Sequence, residues 1–592
     1  MRHRLSVFLI LGTLATLTAF ATQRRRVDDG ALKRPAPEEW LTYGLNYAET
    51  RYSPLKLIDT TNVSRLGLAW IAEVGTGGGV QEATPLVSNG VMYTITNWSV
   101  VYANDARTGK ELWRFDPKVD HRIGEGSTKR LCCGVVNRGL ALYQGRVFVP
   151  VIDGRLVALE GDSGLLAWEK QTFPAREPYS ITMAPRIVKG KVIIGNSGAE
   201  YAARGYVTAY DTATGRLEWR FYTVPGDPAR PFEHPDLAAA AKTWNGDWWV
   251  GGGGGTVWDA IAYDPDEELL YIGTGNGGPW NRDVRSPEGG DNLYLSSIVA
   301  LKPDTGKYVW HFQTTPGDNW DYTAVQHLVL ADIRIAGRNR KVIMQAPKNG
   351  FFYVLDRVSG EFISAAPFAD VNWAKGVDAK TGRPIENPEA RYGLRPVALS
   401  PGPLGAHNWA PMSFNPTTGL VYLPAGNTSA LYARTPDFEF KIESGGFIGT
   451  GAFQTGVTLG GSGSSPEGQV PSPPMIGPES GRGQRGGFLL AWDPVTQKER
   501  WRQPGGGGIG GGTLSTAGNL VFQVIPDGRL VAYSADRGDK LLEIASGIRG
   551  VGPPMTYQLD GKQFITFMGG SGPTQPPRIF TYVLDGKLAL PN

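Results

Sequence analysis

Short stretches in which apolar and polar residues alternate recur along the chain, and turn signals separate them. The stretch Val207-Thr208-Ala209-Tyr210 alternates in this way and precedes Thr214-Gly215. Alternation with a period of two is typical of a strand that buries one face. The glycine of the turn supplies the positive φ that a tight hairpin needs. The pattern therefore predicts antiparallel strands joined by short turns.

The strand-and-turn unit repeats, with a tryptophan four residues after the turn glycine. Clear copies are Gly109 with Trp113, Gly164 with Trp168, Gly215 with Trp219, and Gly306 with Trp310. Degenerate copies are Ser359-Gly360, Gln497 with Trp501, and Gly538 with Leu542. Where nothing interrupts them, the turn glycines recur roughly every 50 residues, a period that indicates propeller blades or a solenoid. We therefore expect an all-β fold in which each blade buries one large aromatic side chain against its neighbour.

Two wide gaps interrupt the repeat. Seven copies are visible, and an eighth blade would lie in the gap between 360 and 497 or be completed by the two chain ends. The gap between 215 and 306 predicts an insertion. The wider gap also predicts one, because it contains a Gly/Ser/Pro-rich stretch at about 444–487 that is too long for an ordinary turn. Loops of that length are functional lids or mobile segments.

The composition agrees with a β fold and excludes several classes of protein. The 592 residues include 80 Gly and 43 Pro, a share that argues against a helical protein. The formal net charge of +3 gives no electrostatic reason to expect nucleic acid. Two cysteines cannot form a zinc ribbon, and the sequence has no Cys-x-x-Cys-His for covalent attachment of haem.

Residues 1–21 have the form of a signal peptide. Arg2 and Arg4 precede an apolar run from Leu5 to about Phe20, and Ala19-Phe20-Ala21 has the small-x-small form of a cleavage site. A retained membrane anchor is the alternative. No other stretch approaches roughly 18 uninterrupted apolar residues, so we expect no stable membrane insertion of the rest. The expected location is the periplasm, which is an oxidising compartment.

Four residues in predicted loops carry candidate chemistry, and each also has an ordinary structural explanation. The adjacent Cys132 and Cys133 can pair with each other, stay reduced, or bridge to another molecule. Glu200 and Asn276 follow predicted strands in Gly-rich loops, where their oxygen atoms suit a hard cation such as Ca²⁺. Residues of these types in loops are, however, commonly turn residues.

The same ambiguity applies to an acidic pair, an aromatic residue and a lysine further along the chain. Asp318 and Asp321 flank Asn319-Trp320, and either carboxylate can be a general base or can cap a turn. Trp258 follows five consecutive glycines and can stack under a planar ligand or pack in the core. Lys348 taken alone is typical of a solvated surface charge. The residues themselves therefore predict an exported propeller with a possible cation site, and no reaction.

Together these residues resemble the quinoprotein alcohol dehydrogenases. The most specific segments are 132–139, which reads Cys-Cys-Gly-Val-Val-Asn-Arg-Gly, 195–200 and 315–322. The likeness extends from about Glu38 to the C-terminus, and between 278 and 355 it is greatest to the quinohaemoprotein members. It implies a single eight-bladed propeller of four-stranded blades over 38–592 that binds pyrroloquinoline quinone (PQQ) and a metal ion.

The resemblance also implies roles for individual residues. Glu200, Asn276 and Asp321 are the expected metal ligands, and Asp321 is the expected base that takes the hydroxyl proton of an alcohol. Trp258 is the expected floor under the quinone, and a Cys132–Cys133 disulfide is expected over its other face. The other expected contacts of the cofactor are Glu82, Arg138, Thr182, Ser197, Gly198, Ala199, Lys348 and Asn408.

The implied reaction is oxidation of an alcohol to an aldehyde or ketone by hydride transfer to PQQ. Two departures from the family pattern bear on the metal and the acceptor. Lanthanide-using relatives carry an extra Asp two residues beyond the catalytic one, where this chain has Thr323, so Ca²⁺ is expected. Many close relatives carry a C-terminal cytochrome domain that this sequence lacks, so we expect a separate electron acceptor such as cytochrome c.

Two alternatives to an alcohol dehydrogenase stay open. A sugar or polyol dehydrogenase on the same cofactor would differ only in its substrate, which loops at the pocket rim decide. A non-catalytic propeller scaffold, like the exported lipoproteins that help assemble outer-membrane proteins, would need no cation ligands. The joint presence of the Cys pair, Glu200, Asn276, Asp321 and Lys348 favours the enzyme, as does the lack of a lipobox cysteine near Ala21.

Overall fold

A computed structural model describes residues 25–75, 77–125, 130–174, 177–440, 453–460, 486–507, 510–572 and 574–590. The predicted signal peptide, 1–21, and most of the predicted insertion at 444–487 lie outside these ranges. Among the residues described, no helix is both long enough and apolar enough to cross a lipid bilayer.

Strands dominate the described part of the chain. In chain order they are β1 (Tyr52–Ser53), β2 (Leu66–Glu73), β3 (Leu86–Ser88), β4 (Val91–Ile95), β5 (Val101–Asp105), β6 (Glu111–Phe115), β7 (Ala141–Tyr143), β8 (Arg146–Pro150), β9 (Arg155–Glu160), β10 (Leu166–Gln171), β11 (Arg186–Val188), β12 (Lys191–Gly195), β13 (Tyr206–Asp211), β14 (Leu217–Tyr222), β15 (Gly253–Gly254), β16 (Ile261–Asp264), β17 (Leu269–Gly273), β18 (Gly277–Gly278), β19 (Ser297–Leu301) and β20 (Tyr308–Gln313). They continue as β21 (Leu328–Ile335), β22 (Arg338–Gln345), β23 (Phe351–Asp356), β24 (Phe362–Pro367), β25 (Ala374–Val377), β26 (Pro384–Glu386), β27 (Val397–Leu399), β28 (Ser413–Asn415), β29 (Leu420–Asn427), β30 (Ala430–Arg434), β31 (Val457–Gly460), β32 (Gly486–Asp493), β33 (Lys498–Pro504), β34 (Thr513–Thr516), β35 (Leu520–Val524), β36 (Arg529–Ser534), β37 (Lys540–Ala545), β38 (Met555–Leu559), β39 (Lys562–Gly569) and β40 (Arg578–Leu584).

Helices are few and short. The α-helices of the described ranges are α1 (Asp29–Lys33), α2 (Asp236–Ala241) and α3 (Arg282–Arg285). Short 3₁₀ turns span Val63–Arg65, Asn97–Ser99, His121–Gly124, Ala199–Tyr201, Trp248–Gly251 and Pro388–Ala390. The all-β prediction is therefore confirmed.

The strands pair into successive antiparallel sheets of four, as expected for propeller blades. We number these sheets along the chain: first β3–β6, second β7–β10, third β11–β14, fourth β16, β17, β19 and β20, fifth β21–β24, sixth β28, β29, β32 and β33, seventh β34–β37, and eighth β38–β40 with β2. The short β1 adds to the seventh sheet in parallel with β34. Smaller sheets are β15 with β18, β25 with β26, and β27 with β30 and β31.

The eighth sheet joins the two ends of the chain. Its outer strand β2 comes from the N-terminal part and pairs antiparallel with β40, with Ile71 opposite Phe580. Of the two possibilities left by the repeat, the chain ends supply the additional sheet, while the degenerate copy at Gln497 belongs to the sixth sheet.

The repeated tryptophans pack across the boundaries between sheets. Each indole lies over the turn glycine of the next sheet, where an added Cβ would meet a ring atom at 2.5–2.8 Å. The pairs are Trp70 with Gly109, Trp113 with Gly164, Trp168 with Gly215, Trp219 with Gly306, Trp310 with Gly360, and Trp501 with Gly538. Trp70 lies on β2, so its contact joins the eighth sheet to the first. The prediction that the repeat buries an aromatic residue against its neighbour is confirmed for these pairs.

A segment near the N-terminus contacts four successive sheets. Its backbone carbonyls accept hydrogen bonds from residues in the first strands of the fourth to seventh sheets: Tyr47 from Tyr263, Ala48 from Leu330, Thr50 from Phe414 and Arg51 from Ser515, at 2.9–3.1 Å. The buried Arg51 guanidinium also donates to the carbonyls of Tyr43, Thr513 and Pro554. The segment 43–53 therefore ties together sheets that are far apart in sequence.

An ion pair is buried where this segment meets the third sheet. Glu49 accepts from Arg186 at 2.6 and 3.1 Å, and His327 Nε2 lies 3.4 Å from Glu49. Burial alone would raise the pKa of Glu49, but the charge of Arg186 and hydrogen bonds from both partners leave it below its ordinary value. Glu49 is therefore buried as a carboxylate with its charge matched.

The nearby Asp259 behaves differently. Its side chain is buried, and its Oδ2 has no hydrogen-bond partner in the part of the chain that the structure describes. Burial raises the pKa of Asp259 to about 7, although the charges of Arg138 and Arg186 oppose the rise. The folded chain therefore keeps a proton on Asp259 over a pH range in which the unfolded chain has released it.

Gly164→Ala should lower the free energy of unfolding by about 2 kcal/mol more than Gly145→Ala. Both glycines lie in hairpin turns of the second sheet with positive φ, so both variants share the backbone cost. Only at position 164 does the new Cβ meet Trp113, at 2.6 Å, since nothing lies within 4 Å at position 145. Urea unfolding of the two variants makes the comparison, and equal losses would show that the tryptophan contact does not exclude a side chain.

Asp259→Asn should remove part of the pH dependence of stability. Because folded Asp259 binds a proton that the unfolded chain releases, wild-type stability falls as pH rises from about 4 to about 7, by an amount on the order of 4 kcal/mol from this group. Urea unfolding of the metal-free and cofactor-free protein at pH 5 and pH 7.5 measures the difference. The same dependence on pH in wild type and variant would contradict the assignment.

Candidate functional site

The residues singled out from the sequence lie at one end of their sheets. In an antiparallel pair, the segment that enters the first strand lies beside the segment that leaves the second. Segments entering first strands carry Glu82, Arg138, Thr182, Trp258, Asp321 and Asn408, and segments leaving second strands carry Glu200, Asn276 and Lys348. The topology therefore brings residues from distant parts of the sequence to one end of the fold.

Glu200 and Asn276 are in contact at this end. Glu200 lies in the 3₁₀ turn Ala199–Tyr201, which begins after Gly198 with φ of +117°. Asn276 Nδ2 donates to Glu200 Oε1 at 3.1 Å, and Trp280 Nε1 donates to the same oxygen at 3.3 Å. Both Glu200 and Asn276 are buried. A buried carboxylate and amide side by side offer the hard oxygen atoms that a cation such as Ca²⁺ takes as ligands.

Asp321 adds a second buried carboxylate and is paired with Lys348. The Lys348 ammonium donates to Asp321 Oδ2 at 2.8 Å. The pKa of Asp321 is raised to about 8, chiefly by burial; Lys348 opposes the rise, and the nearby charges of Glu200 and Asp318 contribute to it. Two buried carboxylates, of which Asp321 is paired with Lys348, offer the charge and the ligand type that suit a divalent cation.

The half-buried indole of Trp258 lies at the same end of the fold. The Arg138 guanidinium lies 4.8 Å from the ring centroid of Trp258 and 2.7 Å from Glu82 Oε2. It also donates to Thr182 Oγ1 at 2.9 Å, and that hydroxyl lies 2.9 Å from Ser197 Oγ. Burial raises the pKa of Glu82, although the charge of Arg138 opposes this. These five residues make a polar cluster around an aromatic face, an arrangement suited to a planar anionic ligand.

The two cysteines are bonded to each other in a disulfide. Cys133 is exposed and Cys132 is partly exposed. Tyr201, next to Glu200, donates through its hydroxyl to the Leu131 carbonyl at 3.3 Å, which links the disulfide loop to the candidate cation site. Of the three possibilities left by the sequence, pairing with each other is the one observed.

Asn408 lies in a loop that packs on Lys348. The backbone N–H of Ala406 donates to the Lys348 carbonyl at 3.1 Å, and Gly405 leaves room for the lysine side chain. Asn408 itself bonds within its loop, to the Leu404 carbonyl and the Trp409 N–H. Its predicted contact with a cofactor stays a prediction.

The described part of the insertion reaches the same site. Residues 453–460 include β31, which pairs with β30. The N–H of Gln454 donates to the Glu200 carbonyl at 3.2 Å, and the rings of Phe453 and Tyr201 are 5.6 Å apart. Trp280, Phe453 and Gln454 were not predicted from the sequence. For Trp280 the only local signal was the preceding Gly278-Pro279, since Gly-Pro marks a turn.

The comparisons with known proteins identify a family. Residues 40–373 match the family described as "PQQ: Glucose/ethanol/alcohol dehydrogenase, beta-propeller domain". The chain is 50% identical to quinohemoprotein alcohol dehydrogenase ADH IIB of Pseudomonas putida, over 100% of this chain and 84% of that protein. It is 44% identical to 1-butanol dehydrogenase (cytochrome c) of Thauera butanivorans, over 93% of this chain and 79% of that protein.

A solved structure is similar over nearly the whole chain. The crystal structure of quinohemoprotein alcohol dehydrogenase from Comamonas testosteroni superposes with a TM-score of 0.87 at 48% identity, covering 96% of this chain and 84% of that one. With the family match and the shared β-propeller domain, these similarities establish that the chain belongs to the PQQ-dependent alcohol dehydrogenases.

Proposed function

We propose that the protein is an exported, periplasmic dehydrogenase that oxidises an alcohol to an aldehyde or ketone with PQQ and Ca²⁺. The observation that carries the proposal is the buried pair of carboxylates, Glu200 and Asp321, with Lys348 beside them at the polar end of the fold. In this proposal the base, the cation ligands and the aromatic face come from loops at one end of the sheets. The 1–21 segment supports export.

In this proposal the cation is held by Glu200, Asn276 and Asp321. Two carboxylates and an amide are typical donors for Ca²⁺. At Thr323, where lanthanide-using relatives carry an additional Asp, the hydroxyl is bonded to Gln326 at 2.8 Å. The position supplies no carboxylate, and the lower negative charge favours Ca²⁺ over a trivalent ion.

The cluster around Trp258 would hold the cofactor. Its indole offers a flat apolar face, and the disulfide of Cys132 and Cys133 lies in a loop joined to the Glu200 turn. Polar contacts would come from side chains of Glu82, Arg138, Thr182, Ser197, Lys348 and Asn408 and from the backbone of Gly198 and Ala199. When bound, PQQ supplies the redox chemistry by accepting a hydride from the alcohol carbon.

In the reaction, the protein's own side chains accept a proton and stabilise negative charge. In its ionised form the Asp321 carboxylate takes the hydroxyl proton of the alcohol. Lys348 stabilises negative charge that develops next to it. Burial of both groups strengthens these interactions, since water screens them less.

Two further parts of the proposal concern architecture and the electron acceptor. We infer that the eight sheets are the blades of one eight-bladed propeller, because each contributes four strands and β2 joins the eighth to the N-terminal part of the chain. We also infer that electrons pass to a separate acceptor such as cytochrome c. The name of the Thauera butanivorans relative, 1-butanol dehydrogenase (cytochrome c), supports this acceptor.

Dye-linked oxidation of primary, secondary and polyol substrates should require both PQQ and Ca²⁺.

Asp321→Asn should lower kcat by about 10²–10⁴-fold, because an amide replaces the base. Glu200→Gln should instead raise the Ca²⁺ concentration needed for activity, because one charged ligand is lost.

Asp264→Asn is the matched control for the loss of a buried carboxylate. Asp264 is buried and paired with Arg357 at 2.5 Å, outside the candidate site. This variant should keep wild-type dependence on PQQ and Ca²⁺. Absence of PQQ binding and of oxidation with any metal would contradict the proposed function and favour a scaffold. Preference for sugars or polyols over simple alcohols would instead reassign the substrate.

A further inference from the structure

The turn that carries Asp321 is organised by Asp318. Asp321 has a φ of +67°, a left-handed conformation that residues other than glycine rarely adopt. Asp318 Oδ1 accepts hydrogen bonds from the N–H groups of Trp320 and Tyr322, at 3.2 and 3.0 Å. These two amides lie on either side of Asp321, so the Asp318 carboxylate holds the backbone that aims the base.

Arg285, at the end of α3, links the same turn to the Asn276 loop. Its guanidinium donates to the carbonyls of Asp318 at 2.6 Å and Trp280 at 3.0 Å, and also to that of Pro279. It lies against Gly277, where an added Cβ would lie 2.1 Å from Nη1. Gly277 directly follows Asn276, so Arg285 bridges two of the loops that carry the expected ligands.

Trp280 connects Arg285 to Glu200, the third expected ligand. Trp280, whose carbonyl accepts from Arg285, donates through its indole to Glu200 Oε1 at 3.3 Å. Arg285 and Asp318 are both buried, and neither side chain bonds directly to Glu200, Asn276 or Asp321 among the hydrogen bonds of the described chain. Burial lowers the pKa of Arg285 and raises that of Asp318, and the charge of each residue opposes the shift of the other.

We propose that Asp318 and Arg285 are positioning residues that set the arrangement of Glu200, Asn276 and Asp321 before the cation binds. The proposal rests on the proposed function, since Ca²⁺ is the ion for which the three side chains are placed. Asp318 fixes the direction of Asp321, and Arg285 fixes the separation of the loops. Groups that orient metal ligands in this way typically change metal affinity by about 10–100-fold when removed.

Asp318→Ala and Asp318→Asn separate positioning from charge. Asn keeps an oxygen that can accept from the N–H groups of Trp320 and Tyr322, whereas Ala removes it. We expect the Ca²⁺ affinity of the PQQ-loaded protein, measured by tryptophan fluorescence, to fall about 10–100-fold in Asp318→Ala and less than about 3-fold in Asp318→Asn. In activity assays, Asp318→Ala should lower kcat at saturating Ca²⁺ while leaving the KM for alcohol close to the wild-type value.

Arg285→Lys tests the second member of the pair. Lysine keeps the charge but cannot bind three carbonyls in one plane, so we expect Ca²⁺ affinity to fall about 10-fold. Asp264→Ala is the matched control, because it removes a buried, arginine-paired carboxylate outside the site. Its melting temperature should fall while its Ca²⁺ affinity equals that of the wild type.

The outcomes distinguish this proposal from the proposed function. If wild-type protein binds neither PQQ nor Ca²⁺, the proposed function and this inference are both wrong. If the wild type binds both and Asp318→Ala binds Ca²⁺ equally well, only the positioning role is wrong. Equal losses in Asp318→Ala and Asp318→Asn would also overturn it, because the hydrogen bonds would then be irrelevant.

Discussion

The pairing of β2 with β40 is the constraint on which the rest of the structure depends. It joins Leu66–Glu73 to Arg578–Leu584 and places Trp70 over Gly109, so the first and eighth sheets become neighbours. Each sheet alone would expose two apolar faces, and packing against the next sheet buries them. The candidate site needs this closure as well, because its residues are spread from position 82 to position 408 and meet only when the sheets are held side by side.

Buried carboxylates within this fold have two different electrostatic environments. Glu49 is matched by Arg186 and His327, and its pKa stays below the ordinary value despite burial. Asp321 is paired with Lys348, yet its pKa is raised to about 8, chiefly by burial, and the nearby charge of Glu200 contributes to the rise. A buried carboxylate whose charge is neutralised by neighbouring basic side chains contributes to a defined packing. A buried carboxylate with too little positive charge around it binds a proton or a cation more strongly. The difference separates the interior that supports the fold from the interior that performs chemistry.

Much of the fold could be predicted because its signals are local. A turn glycine and a tryptophan four residues later specify a hairpin and its contact with the next sheet, so the sheets holding Gly109, Gly164 and Gly215 were predictable. The partner of β2 was not, because β40 lies about 500 residues away and nothing local specifies which distant strand will pair. For the same reason the contacts of the segment 43–53 with four sheets had no signature in the sequence.

In the candidate site too, some features could be predicted from the sequence and others could not. Residues of recognisable chemistry in Gly-rich loops, such as Glu200 and Asn276, could be chosen from the sequence. The residues alone left the pairing of Cys132 with Cys133 open, and the family resemblance predicted the disulfide that is observed. Asp318 was visible as a carboxylate, but its role depends on which amides its oxygen reaches. The bridging contacts of Arg285 and the indole of Trp280 arise from tertiary packing, which spacing along the chain does not encode.

Backbone strain connects stability with function at this site. Asp321, itself an expected ligand, and Ala202, two residues after Glu200, both adopt left-handed conformations that residues other than glycine avoid. Such strain persists only where surrounding contacts determine the conformation more strongly than the residue's own preference. At Asp321 these contacts are the two hydrogen bonds to Asp318, and at Ala202 the close approach of Gly252. A more relaxed backbone would be more stable locally, but it would turn the base away from the ligands, so the rigidity of the closed sheets is what permits the strained turns to keep their direction.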